Sequence, residues 1–171
     1  KKTNVASEED VQNAIDAAAA MGPLRIAVNC AGIGAMNRTI NRDSTAHPLD
    51  VYKKVIEVNL FGTFNVLSKA AAEMSKADPM AHGERGVIVN TASVAAFDGQ
   101  IGQVAYSSSK AAVAGMTLPA ARDLSVVGVR VMTIAPGTFD TPMLGMLPDN
   151  IRQVLAAGIP FPKELGHPDQ Y

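Results

Sequence analysis

Three residues in this chain could move a proton to or from a carbonyl oxygen: Ser93, Tyr106 and Lys110. They lie in the runs G-V-I-V-N-T-A-S and A-Y-S-S-S-K, with Tyr106 thirteen residues after Ser93 and Lys110 four further on. Four residues is about one helical turn, so the tyrosine and the lysine share a helix face. A free phenol has a pKa of about 10 and is a poor base at neutral pH. A fixed ammonium one turn away favours the phenolate and is expected to lower that value. Tyr106 would then exchange a proton with an alcohol or carbonyl oxygen, and the Ser93 hydroxyl would hold the same oxygen. What such a site lacks is a carrier for an electron pair, which a cofactor must supply. Tyr-x-x-x-Lys alone arises easily by chance, as an amphipathic ring followed by a solvated charge. The combination with a strand ending in Asn90-Thr91-Ala92-Ser93 is far more specific.

The elements that must position these residues follow from the pattern. Val87, Ile88 and Val89 form a short continuous apolar run behind Gly83-Glu84-Arg85-Gly86, the mark of a buried strand. A polar cluster at the carboxyl end of a parallel strand is where open α/β sheets bind ligands. Upstream, Lys1 to Val5 reads as the end of a strand. Ser7 then caps a helix, with Asp10 in a capping-box position and Val11, Ala14, Ile15, Ala18 and Ala19 as its apolar stripe. Gly22-Pro23 stops it, and Leu24 to Asn29 is a second apolar strand broken only by Arg25. The turn Asn29-Cys30-Ala31-Gly32-Ile33-Gly34 is a weak dinucleotide signal, because Asn37 stands where a third glycine is required. Cys30 is expected to be a small buried residue, and His47, at the end of a polar loop over 37–50, to be solvated.

A helix starting near Asp50 is expected to reach about Ser75, kinked near Gly62, with apolar residues on more than one face and Asn59 among them. His82 lies in the connecting loop and reads as surface, and residues 97–102 read as a flexible loop beside the site. The next helix, 104–127, is apolar nearly all round after Lys110, should bend at Pro119 and is ended by Gly128 before a strand at 129–134. Such a helix is buried on both sides, so one side faces the sheet and the other needs a second subunit. Residues 138–165 are rich in Met, Leu, Pro and Gly with little periodicity, and are expected to form a mobile apolar lid over an apolar substrate. Gly166 to Asp169 reads as a helix start.

The 171 residues suffice for one domain with a real core. A net charge of -1 gives no electrostatic footprint for nucleic acid or an anionic membrane. The single cysteine excludes an internal disulfide and fits a reducing compartment such as the cytoplasm. Neither a spanning helix nor a signal peptide is expected, and no metal site is expected.

At this point the chain resembles the short-chain dehydrogenases/reductases. Matching pieces are Asn29-Cys30-Ala31-Gly32 after one strand, Asn59 in V-N-L-F-G-T, Ser93, Tyr106-x-x-x-Lys110, and Pro136-Gly137 after the next strand. Within that family it is similar to the type-2 3-hydroxyacyl-CoA dehydrogenases, which also act on hydroxysteroids, in G-T-F-N-V, N-T-A-S-V-A-A-F, G-M-T-L-P, V-R-V-M-T-I-A-P-G and P-F-P. The resemblance implies a single-domain α/β fold, a Rossmann-like doubly wound parallel sheet of which strands four to six are covered. It also implies that the sheet is incomplete at both ends here, the Gly-rich phosphate loop lying before Lys1 and the last strand after Tyr171, in a protein of roughly 250 residues.

As catalytic residues it implies Ser93, Tyr106, Lys110 and Asn59, the last disturbing its helix and holding a water that links Lys110 to solvent. Along the cofactor it places Asn4, Val5, Asn29, Ala31, Gly32, Tyr106, Lys110, Pro136, Gly137, Thr138 and Thr141. The usual second Asn of the first motif is Cys30 here. The implied activity is reversible oxidation of a secondary alcohol to a ketone, with 3-hydroxyacyl-CoA as substrate, NAD as cofactor with NADP open, and a homodimer or homotetramer as assembly. Two other readings stay open. One is an NADPH-dependent 3-oxoacyl-carrier-protein reductase. The other is a catalytically silent dinucleotide-binding scaffold, against which the presence of all three of Ser93, Tyr106 and Lys110 argues.

Overall fold

The computed structural model describes residues 1–171, which form two compact units, Lys1–Ala135 and Pro136–Tyr171. In the first unit the apolar runs become strands β1 (Ile26–Asn29), β2 (Gly86–Thr91) and β3 (Val129–Ile134), all parallel and in the order β1-β2-β3. The register pairs Ala27 with Ile88 and Ile88 with Val131, and this row faces the core. Helices α1 (Glu8–Ala19), α3 (Gly62–Met74) and α4 (Val104–Ser125) cover that face. Val11, Ile15, Leu67, Met74, Ile88 and Val129 are buried between helices and sheet. Helix α2 (Leu49–Ile56) runs into α3 through a π turn, Glu57–Phe61. On the opposite sheet face Ile26, Val28, Met132 and Ile134 are exposed.

The ends of the elements follow local chemistry. The Ser7 hydroxyl accepts from the Asp10 amide at 3.2 Å, as a capping serine should. The Asp10 carboxylate does not return to Ser7; it accepts from the Asn4 amide at 2.9 Å. That bond, with Ser7 N–H donating to the Asn4 carbonyl and Ala6 N–H to the Asn4 side chain, makes Lys1 to Val5 a turn-forming lead-in rather than the expected strand. Short polar side chains compete here with a sheet ladder for the backbone. The break in the α2–α3 helix falls at the π turn, just before Gly62, where a Cβ would stand 2.5 Å from Val5 Cγ2. Helix α4 runs through Pro119 without interruption. It ends at Ser125, and the turn that follows closes at Gly128, whose φ of +70° suits glycine and where a Cβ would collide with the Gly83 carbonyl.

Arg25, the charge that interrupts the first apolar run, bonds the Arg85 and Asp78 carbonyls at 3.0 and 2.9 Å. Arg85 bonds the carbonyls of Ala77 and Val127 at 3.0 and 3.2 Å. The two arginines thus tie together the chain leaving α3, the chain leaving α4 and the start of β2.

The second unit is held by a parallel bridge between Phe139 and Gly166, by the Phe139–Tyr171 ring contact at 5.7 Å, and by Arg152 paired with Asp140. It contains a helix the sequence reading missed, α5 (Asp149–Ala157), where only aperiodic chain was expected. Ile151, Val154 and Leu155 do carry helical spacing, but the span is nine residues and sits among prolines, methionines and glycines. The helix start at Gly166–Asp169 is a single 3-10 turn, Pro168–Gln170, capped by His167. Thr138, Thr141, Pro136 and Gly137 all belong to this unit; the Thr138 carbonyl accepts from Gly166 and the Thr141 hydroxyl from Leu144.

Candidate active site

Ser93 stands just past the carboxyl end of β2, in extended backbone, and caps a one-turn 3-10 helix by accepting from the Ala95 amide at 3.1 Å. Tyr106 lies in the first turn of α4 and Lys110 in the next. Lys110 is only 5% exposed. Its ammonium donates to the Thr91 carbonyl at 2.7 Å and sits 5.7 Å from the centre of the Tyr106 ring. The sheet and the helix therefore meet at this corner, with a backbone carbonyl of β2 fixing the direction of the lysine.

The electrostatics differ from the sequence expectation. Burial pushes the Tyr106 phenol above its usual range, and the nearby Ser93 hydroxyl pulls the other way. Burial also lowers the Lys110 ammonium, opposed by the Cys30 side chain. The direction for Tyr106 is set by burial rather than by the Lys110 charge that the sequence pattern suggested. The ammonium is bonded to the Thr91 carbonyl and lies 5.7 Å from the centre of the Tyr106 ring, and desolvation of the phenol outweighs it.

Asn59, fully buried on the π turn, ties the site together. Its amide nitrogen donates to the Ile33 carbonyl at 2.9 Å and to Ser109 Oγ at 3.0 Å, and its oxygen accepts from the Ile33 amide at 2.8 Å. Ser109 in turn donates to the Tyr106 carbonyl at 2.7 Å. The turn after β1 is thereby linked through Asn59 to the backbone of α4 beneath the phenol. Ser109 was not singled out in the sequence; its spacing of three from Tyr106 on the same helix was the available signal.

The turn after β1 approaches closely. A Cβ at Gly32 would stand 3.4 Å from Asn59 Oδ1 and 3.6 Å from Lys110 Nζ. Asn29, in register with Asn90, donates to its side-chain oxygen at 2.9 Å. The Asn90 amide nitrogen and the Thr91 hydroxyl are both buried without a partner. Ala31 is exposed, as are Asn4 and Cys30. Cys30 thus corrects the expectation of a buried residue: β1 ends at Asn29, and the next side chain turns outward. Val5 packs on Gly62, and its carbonyl accepts from Asn65. His47 corrects the other way. It is half-buried against Tyr52, and its Nε2 is buried without a partner. His82 is on the surface as expected.

No helix is long and apolar enough to cross a membrane. The sequence profile of the family described as short chain dehydrogenase matches residues 1–152. The chain is 55% identical over 170 residues to the 3-hydroxyacyl-CoA dehydrogenase type-2 of Bos taurus, covering 98% of this chain and 65% of that protein. It is 37% identical over 145 residues to the ipsdienol dehydrogenase of Ips pini, covering 83% of this chain and 57% of that one. A crystal structure of 3-hydroxyacyl-CoA dehydrogenase type-2 from Mycobacterium avium, 47% identical, superposes with a TM-score of 0.91 over 99% of this chain and 65% of its own. The chain thus spans about two thirds of the length of these type-2 relatives. A profile that takes in all of the parallel sheet, and a superposition that takes in nearly every residue, lead to one conclusion: this chain belongs to the short-chain dehydrogenase family.

Proposed function

We propose that the protein interconverts a secondary alcohol and a ketone, with a 3-hydroxyacyl-CoA and its 3-oxo form as substrates and NAD as cofactor. The observation that carries the reading is the buried Lys110, fixed by the Thr91 carbonyl with the Tyr106 ring beside it and Ser93 facing the phenol. The type-2 relatives, at 55% identity, support the substrate.

The residues present fit a nicotinamide dinucleotide. Gly32 leaves open the space a Cβ would fill beside Asn59 and Lys110, and the Lys110 ammonium spends one of its three donors on Thr91. Gly32, Ala31 and Lys110 would hold the cofactor, Lys110 through a sugar hydroxyl, with Asn29 bracing the strand end below. Asn4 and Val5 are proposed as further contacts by family likeness. When bound, the cofactor supplies the acceptor or donor of a hydride.

The chain's own residues do the rest. Ser93 donates a hydrogen bond to the substrate oxygen and keeps it near the phenol. Tyr106, held neutral by burial, is ready to give its proton to that oxygen when the ketone is reduced. In the oxidation direction it must accept the proton instead. That step is favoured by the positive charge of the Lys110 ammonium beside the ring, which lowers the cost of the phenolate. Asn59 and Ser109 hold the α4 backbone under Tyr106 so that the hydroxyl keeps its place.

Assembly with a second copy is part of the proposal. Gly115 and Leu118 on α4 and Phe64 on α3 are exposed, and these two helices would supply the apolar contact.

The test is reduction of acetoacetyl-CoA by the full-length protein, with NADH and NADPH in parallel. Turnover with NADH that falls at least about 100-fold in Tyr106→Phe is expected. Unchanged turnover in that variant sinks the assignment, and turnover with NADPH alone moves the reading to a biosynthetic reductase.

A further inference from the structure

Two aspartates in this chain are followed by glycine or serine, Asp98 before Gly99 and Asp43 before Ser44. Small residues in that place let the backbone attack the side chain. The amide nitrogen of the next residue bonds to the aspartate Cγ, and the carboxyl hydroxyl leaves as water with the amide proton. Water then opens the five-membered imide at either carbonyl. One opening restores aspartate. The other leaves isoaspartate, in which the backbone runs through the former side chain and gains one atom, with no net change in composition. The reaction needs a carboxyl and an amide that are both free to meet.

Both aspartates are exposed, so access does not decide between them. Hydrogen bonding does. The Asp43 carboxylate accepts from the Thr45 hydroxyl at 2.6 Å and the Thr45 amide at 3.1 Å, and the Ser44 amide donates to the Asn41 carbonyl at 3.0 Å. The two Thr45 bonds hold the Asp43 carboxyl below its ordinary range, in the ionised form that does not give up an oxygen. At Asp98 both groups are free: the carboxylate meets neither a donor nor a cation, and the Gly99 amide donates to nothing. The glycine is held there by packing. A Cβ at Gly99 would run into Ser107 Oγ and stand 3.3 Å from the Ala95 carbonyl. Ser107 follows Tyr106 on α4, so the contact that seats the loop on this helix keeps beside Asp98 the residue that least hinders the attack. Beyond Gly99 the loop is tied to the same helix, with Gln100 N–H donating to the Gln103 side-chain oxygen at 2.9 Å and Ser107 N–H to the Gln103 carbonyl at 2.7 Å. An added backbone atom at residue 98 therefore falls on the Gly99–Ser107 contact, next to Tyr106.

We propose that Asp98 is a modification site, where isoaspartate forms ahead of every other position and displaces the start of α4. Once formed, the exposed isoaspartyl carboxylate is a methyl acceptor for an S-adenosylmethionine-dependent isoaspartyl methyltransferase. The site itself does not depend on the reaction proposed above; only its effect on turnover does.

Full-length protein is aged for weeks at neutral pH. Isoaspartate is counted by methyl transfer from labelled S-adenosylmethionine with a purified isoaspartyl methyltransferase. It is located by peptide mass spectrometry after digestion with a protease that cuts before aspartate and not before isoaspartate. The uncut peptide spanning 98–99 is expected to grow with time, and the one spanning 43–44 to stay at its starting level. Asp98→Glu, which would have to close a larger and slower ring, is expected to lose most of the methyl-accepting signal. Because the Asp98 carboxylate has no partner in the fold, this variant should melt with the fresh parent and match its turnover of acetoacetyl-CoA. Turnover of the aged parent is expected to fall in step with isoaspartate at 98 and to recover after repeated treatment with the methyltransferase. Isoaspartate that gathers at 43 or elsewhere instead, or a signal that survives Asp98→Glu, overturns the site. An aged parent that loses turnover no faster than aged Asp98→Glu overturns the effect on α4. Fresh protein without turnover counts against the proposed reaction, while the isoaspartate count still decides the site.

Discussion

The two ends of the parallel sheet are built on opposite terms. At the amino end every exceptional group is satisfied. Arg25 and Arg85 each bond two carbonyls, and Gly128 closes the turn after α4 against the Gly83 carbonyl with no room for a side chain. At the carboxyl end the groups are left wanting. The Asn90 amide nitrogen and Thr91 hydroxyl are buried without partners, Lys110 is buried on a single bond, and both Lys110 and Tyr106 are shifted away from their charged forms. One end holds the layers together, and the other keeps unspent polar capacity where a ligand can use it. Stability and chemistry are separated by the length of a strand.

The comparison can be attacked from the largest effect downward. Gly128→Val should be the most damaging change, since it puts a β-branched residue at positive φ and into the Gly83 carbonyl. A loss of more than about 3 kcal/mol in urea unfolding is expected. If the variant melts like the parent, the amino end is not the tight end. Arg85→Ala removes two charge-assisted bonds and should cost about 2 kcal/mol. Its kcat per folded molecule should stay near that of the parent, and a matching loss of kcat would mean the two ends are coupled.

Lys110→Met tests the other end, where turnover should be lost with a stability change under about 1 kcal/mol. Titration sharpens the point. The Lys110 ammonium is penalised by burial, so its cost is full at neutral pH. As pH rises from its lowered pKa toward the free value of 10.5 the fold should gain stability, and Lys110→Met should abolish that gain. The Tyr106 phenol runs opposite, its contribution complete below the free value of 10.0 and lost as pH climbs through its raised pKa. Denaturation followed at several alkaline pH values separates the two. The smallest expected effect is Thr91→Val, which removes an unpaired buried hydroxyl at nearly constant shape and should stabilise by about 1 kcal/mol. A destabilised variant would show that the hydroxyl has a partner.

Much of this layout is legible in the chain. Short apolar runs mark β1 to β3, Ser7 and Gly128 mark helix ends, and the spacing of Ser93, Tyr106 and Lys110 marks one corner of the sheet. What the sequence hides depends on direction rather than identity. Nothing in the residue types says that Lys110 turns to the Thr91 carbonyl, because a backbone group leaves no letter of its own. Cys30 looked buried because it follows an apolar run, yet the strand stops one residue earlier. His47 looked solvated because its loop is polar, but the loop folds back, with His47 N–H donating to the Thr39 carbonyl, and takes the ring with it. Helix α5 was hidden by its shortness.

The π turn at Glu57–Phe61 has a further consequence. A π turn holds one residue more than an α turn, so the helix on either side of it is cut to two phases, offset by about 100°. That offset is why the apolar residues of this helix looked spread over more than one face. It also makes the length of the segment matter as much as the identity of Asn59. Removing one residue here would restore a regular helix, and with it swing Asn59 round the axis and off Ile33 and Ser109. In a lineage of such chains, this stretch should keep Asn59 and its length, while its exposed positions vary.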